Sequence, residues 1–484
     1  MANKQQVFNP YLPSWEYVPD GEPHKFGDRI YVYGSHDRFN SNKFCANDYV
    51  CWSAPENDLS DWRYEGVIFR KTQDPDNPKG KHSLFAPDVC QGPDGKYYLY
   101  YALDFVGKIG VAVCDEPAGE YKFIGFVHWP DGQILGRRKG DRFQFDPGLY
   151  VEGDDVYLYS GFGPKGFPFG LTLAGRISKE GAMVMKLEKD MMTIKSPIKY
   201  IAKTIYNSAG TDYEGHEFFE ASSMRKIGDK YYFIYSSFIG HELCYAISDK
   251  PDGDFKFGGT LVSIGDVGLR GIKGVKDAAN FTGNTHGSVV EACGKYYVFF
   301  HRQTNRHCYS RQACAEEIKI EPDGHIDQVE VTSCGLNGGP LKGVGKYEAR
   351  IACTLTCPAG GRFYSVFRGT EGARPYFTQS GVDREGEGDQ YIANIRNGAE
   401  AGFKYFDLSD TKSVSLIVRG KGKGRFVVSY APGGEPAAVL PVDLSVSEWT
   451  ALPAVDLAGG TAKSALYVRY EGDGRYDFDS LVLA

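Results

Sequence analysis

The 484-residue chain is longer than a single core usually supports, and its net charge of −7 comes with Lys and Arg dispersed rather than blocked, so two domains are expected and a nucleic-acid partner is excluded. Aromatic residues reach 14%, with 33 Tyr against 5 Trp, beside 60 Gly, a balance that suits short twisted strands and tight turns and predicts an all-β fold. No 18 apolar residues run together and the start, MANKQQVFNP, has no apolar export segment, so no membrane partner is expected and the cytoplasm is the expected compartment.

Five times a glycine-bearing turn leads into an aromatic strand: GDRIYVYGSHD at Gly27, DGKYYLYYALD at Asp94, GDDVYLYSGFG at Gly153, GDKYYFIYSSF at Gly228 and GKYYVFFHRQT at Gly294. The tyrosines after these turns, Tyr31, Tyr98, Tyr157, Tyr232 and Tyr297, are 67, 59, 75 and 65 residues apart. Most solenoid repeats are shorter, so units of this length predict the radial blades of a five-bladed β-propeller over residues 1–336. The alternative is a set of unrelated hairpins in a large sandwich.

In chain order, Pro10, Pro13, Pro19 and Pro23 forbid a regular element before the first repeat and leave Asp20 in a stiff loop, either at the axial funnel or as a turn aspartate. Residues 47–69 complete a first blade. FAPDV, from Phe85, and FDPGLYVEGDDVYLY, from Phe145, open the next two and offer Asp88 and Asp146 at what reads as one topological position. Residues 161–203 form a long insertion whose Met183, Met185, Met191 and Met192 fit strand packing better than a cofactor stripe. The fourth blade opens with Glu214, Glu217 and Glu220 close together, and the fifth with His286 at its head and Arg302 at the end of its second strand.

Residues 337–345, NGGPLKGVG, read as a linker, and residues 346–484 as an antiparallel β-sandwich, or jelly roll. There Trp449 and Tyr405 are candidate sugar platforms, each read first as core. The 11 Cys include no CxxC pair, which argues against a zinc site and for buried thiols.

With its ordered motifs NPYLP, PDGEP, FAPDV, FDPGLYVEGDDVYLY, FFEASSMRKIGDKYYFIYS and HGSVVE followed by KYYVFFHR, the stretch 9–336 resembles glycoside hydrolase family 43, propellers acting on arabinose- and xylose-containing polysaccharides. The C-terminal GDQYIANIRNGAEAGFKYFDL and YVRYEGDGRYDFDSLVLA are similar to a family 6 carbohydrate-binding module. The resemblance implies Asp20 as general base, Asp146 as the residue that orients the acid and adjusts its pKa, and Glu220 as general acid, preferred over Glu214 and Glu217. It implies substrate contacts from Phe85, where many relatives have Trp, and from Asp88 and Arg302. It also implies that His286 holds calcium or water on the axis, a structural calcium being the one ion expected and no cofactor being required for the chemistry.

Inverting hydrolysis needs one protonated carboxyl for the leaving oxygen and one carboxylate for water on the opposite ring face, about 6.5–9.5 Å away. The expected function is an inverting exo-acting hydrolase that releases terminal α-L-arabinofuranosyl or β-D-xylosyl residues from plant cell-wall oligosaccharides, with residues 161–203 walling the funnel. The alternatives are a β-1,4-xylosidase or endo-arabinanase on the same scaffold, and a carbohydrate-binding protein without turnover. Retaining propellers acting on fructans are set aside, because an Asn-Asp-Pro-Asn motif is absent near the start.

Overall fold

The computed structural model describes residues 5–484 except positions 167, 174, 365, 368 and 387. The expected domain start at residue 1 and two positions of the expected wall therefore lie outside the described residues.

Five antiparallel sheets follow one another along the chain. Blade 1 holds β1 (Glu22–Phe26), β2 (Arg29–Tyr33), β3 (Tyr49–Pro55) and β4 (Arg63–Phe69); blade 2 holds β5 (Leu84–Gln91), β6 (Tyr97–Leu103), β7 (Ile109–Cys114) and β8 (Lys122–Phe126). Blade 3 holds β9 (Gly148–Glu152), β10 (Asp155–Ser160), β11 (Met183–Leu187) and β12 (Lys199–Tyr200); blade 4 holds β13 (Phe218–Ile227), β14 (Lys230–Ser237), β15 (Glu242–Ser248) and β16 (Lys256–Ser263). Blade 5 has three strands, β17 (Ser288–Ala292), β18 (Lys295–Gln303) and β19 (Arg311–Ile318). Each repeated turn joins the first two strands of a blade, and Gly27, Gly95, Gly153, Gly228 and Gly294 all take positive φ there, which only glycine adopts without strain.

The core is divided into five wedges, each filled from two adjacent blades. Tyr31 packs in the wedge between blades 1 and 2, Tyr98 between 2 and 3, Tyr157 between 3 and 4, Tyr232 between 4 and 5, and Tyr297 between 5 and 1. Alternate residues on β2, Ile30 and Val32, turn to the opposite wedge, so both faces of each blade are apolar. The repeat is thus the requirement for an aromatic side chain in each wedge. Met183, Met185 and Met191 are buried between blades 2 and 3, as the packing reading expects.

The ring closes through the N-terminal segment. Tyr11 N–H donates to Ala313 O (3.2 Å), and the Asn9 side chain pairs like a strand backbone with Ala315, donating to its carbonyl (2.9 Å) and accepting from its N–H (3.0 Å). Further in, Gly21 bridges Gly287, where a Cβ would come within 1.8 Å of Phe299 O.

The C-terminal part is a separate sheet of eleven strands curled round its own core, which includes Phe403, Phe406, Leu416, Phe426 and Phe478. The expected linker is not a bare connector. Leu341–Lys342 pairs in parallel with Phe406 and Asp407, and Gly345 lies opposite Leu483, because these residues fill edge positions of that sheet. Lys404, almost fully buried, crosses to the propeller and pairs with Asp266 (3.1 Å) and Glu330 (3.0 Å).

Asn9→Ala should strand the Ala315 N–H and carbonyl and remove one of the donors to the Glu316 carboxylate, which keeps those from Thr332. Urea unfolding is expected to show a loss of about 1–3 kcal/mol for the groups left unpaired.

Candidate active site

The candidate residues come from one place in the blade geometry. Counted outward from the turn, Glu22, Asp88, Gly148, Ser223 and Ser288 are equivalent, lying opposite Tyr33, Tyr100, Tyr159, Ile234 and Phe299. Two residues earlier stand Asp20, Ala86, Asp146, Ala221 and His286. Of these, Asp20, Ala86, Asp146 and Ala221 have φ of 58°, 29°, 44° and 68°. Non-glycine residues are rare in that region and concentrate at functional sites. The kink turns the strand heads toward the axis, where Asp20, Asp146, Glu220 and His286 line a single cavity of about 270 Å³.

Register also corrects the reading of Asp88, whose position matches Gly148, while Ala86 matches Asp146. Asp88 is fully buried and absent from the cavity lining; it accepts from Leu149 N–H (2.7 Å) and lies 2.6 Å from His24 Nε2, as a structural carboxylate. Phe85 does line the cavity. Arg302 does not. It is buried on the other side of β18, where it donates to Ala352 O (3.1 Å) and packs over the Phe377 ring at 4.0 Å. Alternation along the strand points it at the C-terminal sheet. Glu217 accepts from Ser208 and Gly215, Glu214 accepts from Gly210, and neither lines the cavity.

The arginine in the cavity is Arg311, at the head of β19 and 2% exposed. Its Nη1 donates to Asp20 (2.9 Å), and its Nε and Nη2 form a two-pronged pair with Asp37 (2.9 and 3.0 Å). Burial is the largest influence and works against the Asp20 charge, but Arg311 first and then the neighbouring histidines and the Ser35 hydroxyl together outweigh it and hold Asp20 below its ordinary value. Asp20 N–H donates to His301 Nδ1 (3.2 Å), while His301 Nε2 faces Asn284 O (2.8 Å). Burial pushes His301 down to about 3, so it is neutral, with its proton on Nε2.

On the other side, burial and then the charge of Asp146 push Glu220 well above the carboxylate range. Asp146 is itself raised, by burial first, and is tied to the strand beside Glu220 by the Ala221 N–H (3.1 Å). The site thus holds one carboxyl driven toward ionisation and another driven toward protonation, the division that acid–base hydrolysis requires.

His286 has Nε2 3.3 Å from Glu22 and Nδ1 3.9 Å from Asp146. Against the cost of burial, the Glu22 hydrogen bond and the charges of Asp146 and Asp20 raise it to about 9. The calcium expected here would have to displace that proton to bind the imidazole, with the Glu22 and Asp146 carboxylates beside it. Among the described residues, Glu22, His24 and Asp88 cluster on the axis and His216, Glu242 and Cys244 on blade 4. The axial carboxylates are engaged, Glu22 with Arg225 (2.8 Å) and Asp88 with His24.

Phenylalanine is the commonest residue of the walls. Phe162 and Phe169 come from the segment expected to wall the funnel, and Phe363, Tyr364 and Val366 reach in from the C-terminal part, held by Tyr364 N–H to Thr282 O (2.8 Å) and by stacking of Tyr364 on Phe281. Arg311, Asp37, His301 and this arm had no assigned role in the sequence reading. Alternation of side chains from Arg302 onward could have raised Arg311 as a rival, but nothing local marks the arm. Trp449 sits beneath Arg419 and against Tyr391, and the Tyr405 hydroxyl bonds Glu330, so both aromatics are engaged within the protein.

The profile of glycosyl hydrolases family 43 matches residues 17–326. A xylosidase/arabinosidase of Thermoclostridium stercorarium is 50% identical over 487 residues, covering 99% of each chain. A xylosidase/arabinosidase of Bacteroides ovatus is 30% identical over 66% of this chain and 97% of its own. Among solved structures, a family 43 arabinoxylan arabinofuranohydrolase from Bacillus subtilis aligns with a TM-score of 0.52 at 21% identity, covering 98% of this chain and 96% of its own, a likeness of fold.

Arg311→Met should free Asp20 from its counter-charge and raise its pKa. A pH titration of Asp20 by NMR should record that upward shift, with circular dichroism checking that the variant is folded.

Proposed function

Because the chain belongs to glycosyl hydrolases family 43, we propose that it is an inverting, exo-acting pentosidase that releases terminal α-L-arabinofuranosyl and β-D-xylosyl residues from plant cell-wall oligosaccharides. The observation that carries this reading is the opposed environments of Asp20 and Glu220 in one cavity, the first beside Arg311 and the second buried near Asp146. The 50% identical relative, named for both pentose activities and matched over its full length, supports the substrate class. The cavity is slightly smaller than the ~300–1,000 Å³ typical of drug-sized ligands, which suits one terminal sugar and the group it leaves. Walls from blades 2 to 4 and from the C-terminal arm favour removal of chain ends over cleavage within a polymer.

The chemistry needs no cofactor. Glu220 gives its proton to the glycosidic oxygen as the C–O bond breaks, while Asp20 takes a proton from the water that attacks the anomeric carbon from the opposite side. Asp146 raises the affinity of Glu220 for its proton, and His286 balances the charge of Asp146 and Glu22.

Proton NMR of fresh product should show β-L-arabinofuranose from an α-L-arabinofuranoside and α-D-xylose from a β-D-xyloside; retained anomers would reject inversion. Glu220→Ala should lower kcat/KM on xylobiose by roughly 10²–10⁴-fold, and less on dinitrophenyl pentosides, whose leaving group needs no proton. Activity should fall on the acid side as Asp20 takes up a proton, below the usual carboxylate range, and on the alkaline side as Glu220 loses its own, well above it. Asp146→Asn should move the alkaline limb of the kcat/KM profile to lower pH, because it removes a charge that holds the Glu220 proton.

A further inference from the structure

The ionisable groups of the cavity are largely buried, whereas the surface between them and solvent is aromatic. Phe85 meets Phe105 edge-on at 6.2 Å, and Phe105 stacks on Phe169 at 5.0 Å with an interplanar angle of 13°. Phe105 is 52% exposed, and across the opening stand Phe363 at 39% and Val366 at 50%. All five residues line the same cavity as Asp20 and Glu220, so the apolar surface is continuous with the catalytic groups. Among the described residues of this outer wall the one side-chain hydroxyl, on Tyr364, is spent on Asn305 O.

A second sugar ring placed here could lay its C–H face on Phe105, but among the described wall residues its hydroxyl rim would meet ring edges and methyl groups and gain no hydrogen bond, leaving those hydroxyls to the solvent at the opening. An aromatic leaving group has no such rim and gains from both stacking and burial. We propose that this outer wall is an aglycone subsite for apolar aromatic alcohols, so that the enzyme cleaves pentosides of aryl-alkyl alcohols in preference to pentose disaccharides. The proposal rests on the pentosidase reading and specifies the leaving-group side of the same cavity. Water adds to the anomeric carbon as the C–O bond breaks; the alcohol departs with the Glu220 proton, and Asp20 takes one proton from the water.

The test compares methyl, benzyl and 3-phenylpropyl β-D-xylosides with xylobiose. The alkyl alcohols are of similar acidity, so binding rather than leaving-group chemistry sets the order. From methyl to 3-phenylpropyl, kcat/KM should rise by roughly tenfold or more, mainly through KM, and should exceed that on xylobiose. Phe105→Ala and Phe169→Ala should each lower the phenylpropyl-to-methyl ratio, with thermal unfolding checking that both variants are folded. A flat series, a ratio that neither substitution changes, or better turnover of xylobiose than of the phenylpropyl xyloside overturns the proposal alone. Absence of turnover on every pentoside, aryl and alkyl, overturns the pentosidase reading and the proposal with it.

Discussion

A single buried guanidinium ties the last blade to the first and is the strongest of the groups that favour the charge of the central carboxylate. Arg311 opens the last strand of blade 5, whereas Asp20 and Asp37 flank the first hairpin of blade 1. Removing three such charges from water is expensive, and a buried cluster of this kind persists only where geometry satisfies nearly every donor. Here Nε and both terminal nitrogens reach carboxylate oxygen. A contact that joins the two ends of the propeller therefore also favours the ionised form of Asp20.

Around that contact the site is assembled by symmetry and then broken from it. The blades present the same strand-head position to the axis, and the left-handed backbone there recurs at Asp20, Ala86, Asp146 and Ala221. What differs is the side chain: a carboxylate on blades 1 and 3, alanine on blades 2 and 4 with Glu220 just before it, and histidine on blade 5. Beneath this layer, Glu22, His24, Asp88 and Arg225 form a second polar layer of mutual hydrogen bonds. Repetition supplies the frame, and substitution at equivalent points supplies the chemistry.

The propeller was legible because the demand for an aromatic residue in each wedge is local and recurs with the blade, so Tyr98, Tyr157, Tyr232 and Tyr297 mark the architecture directly. The acidic residues of the cavity could be found because each lies in a short motif at a strand head. Asp88 and Asp146 look alike because both neighbour a proline, but Asp88 follows Pro87 and Asp146 precedes Pro147, a two-residue offset that aligning the two prolines shows and the strand register repeats. Arg302 and Arg311 lie on adjacent strands and face different partners, a distinction made by the C-terminal sheet rather than by the propeller sequence. Residues 337–345 look like a glycine-rich connector because their strand partners, near 406 and 483, are far along the chain.

The arm carrying Phe363, Tyr364 and Val366 gives the protein a temporal order as well as a spatial one. Synthesis runs from the amino terminus, so Asp20, Asp146 and Glu220 leave the ribosome long before the wall that will cover them. Until residue 366 emerges, the funnel is open to water on that side, and the first-made residues, Asn9 and Tyr11, still wait for β19 if it has not yet formed. The cleft is completed by the polymer's late segment, so a chain cut short after the fifth blade would carry every acidic group of the cavity in an unfinished room.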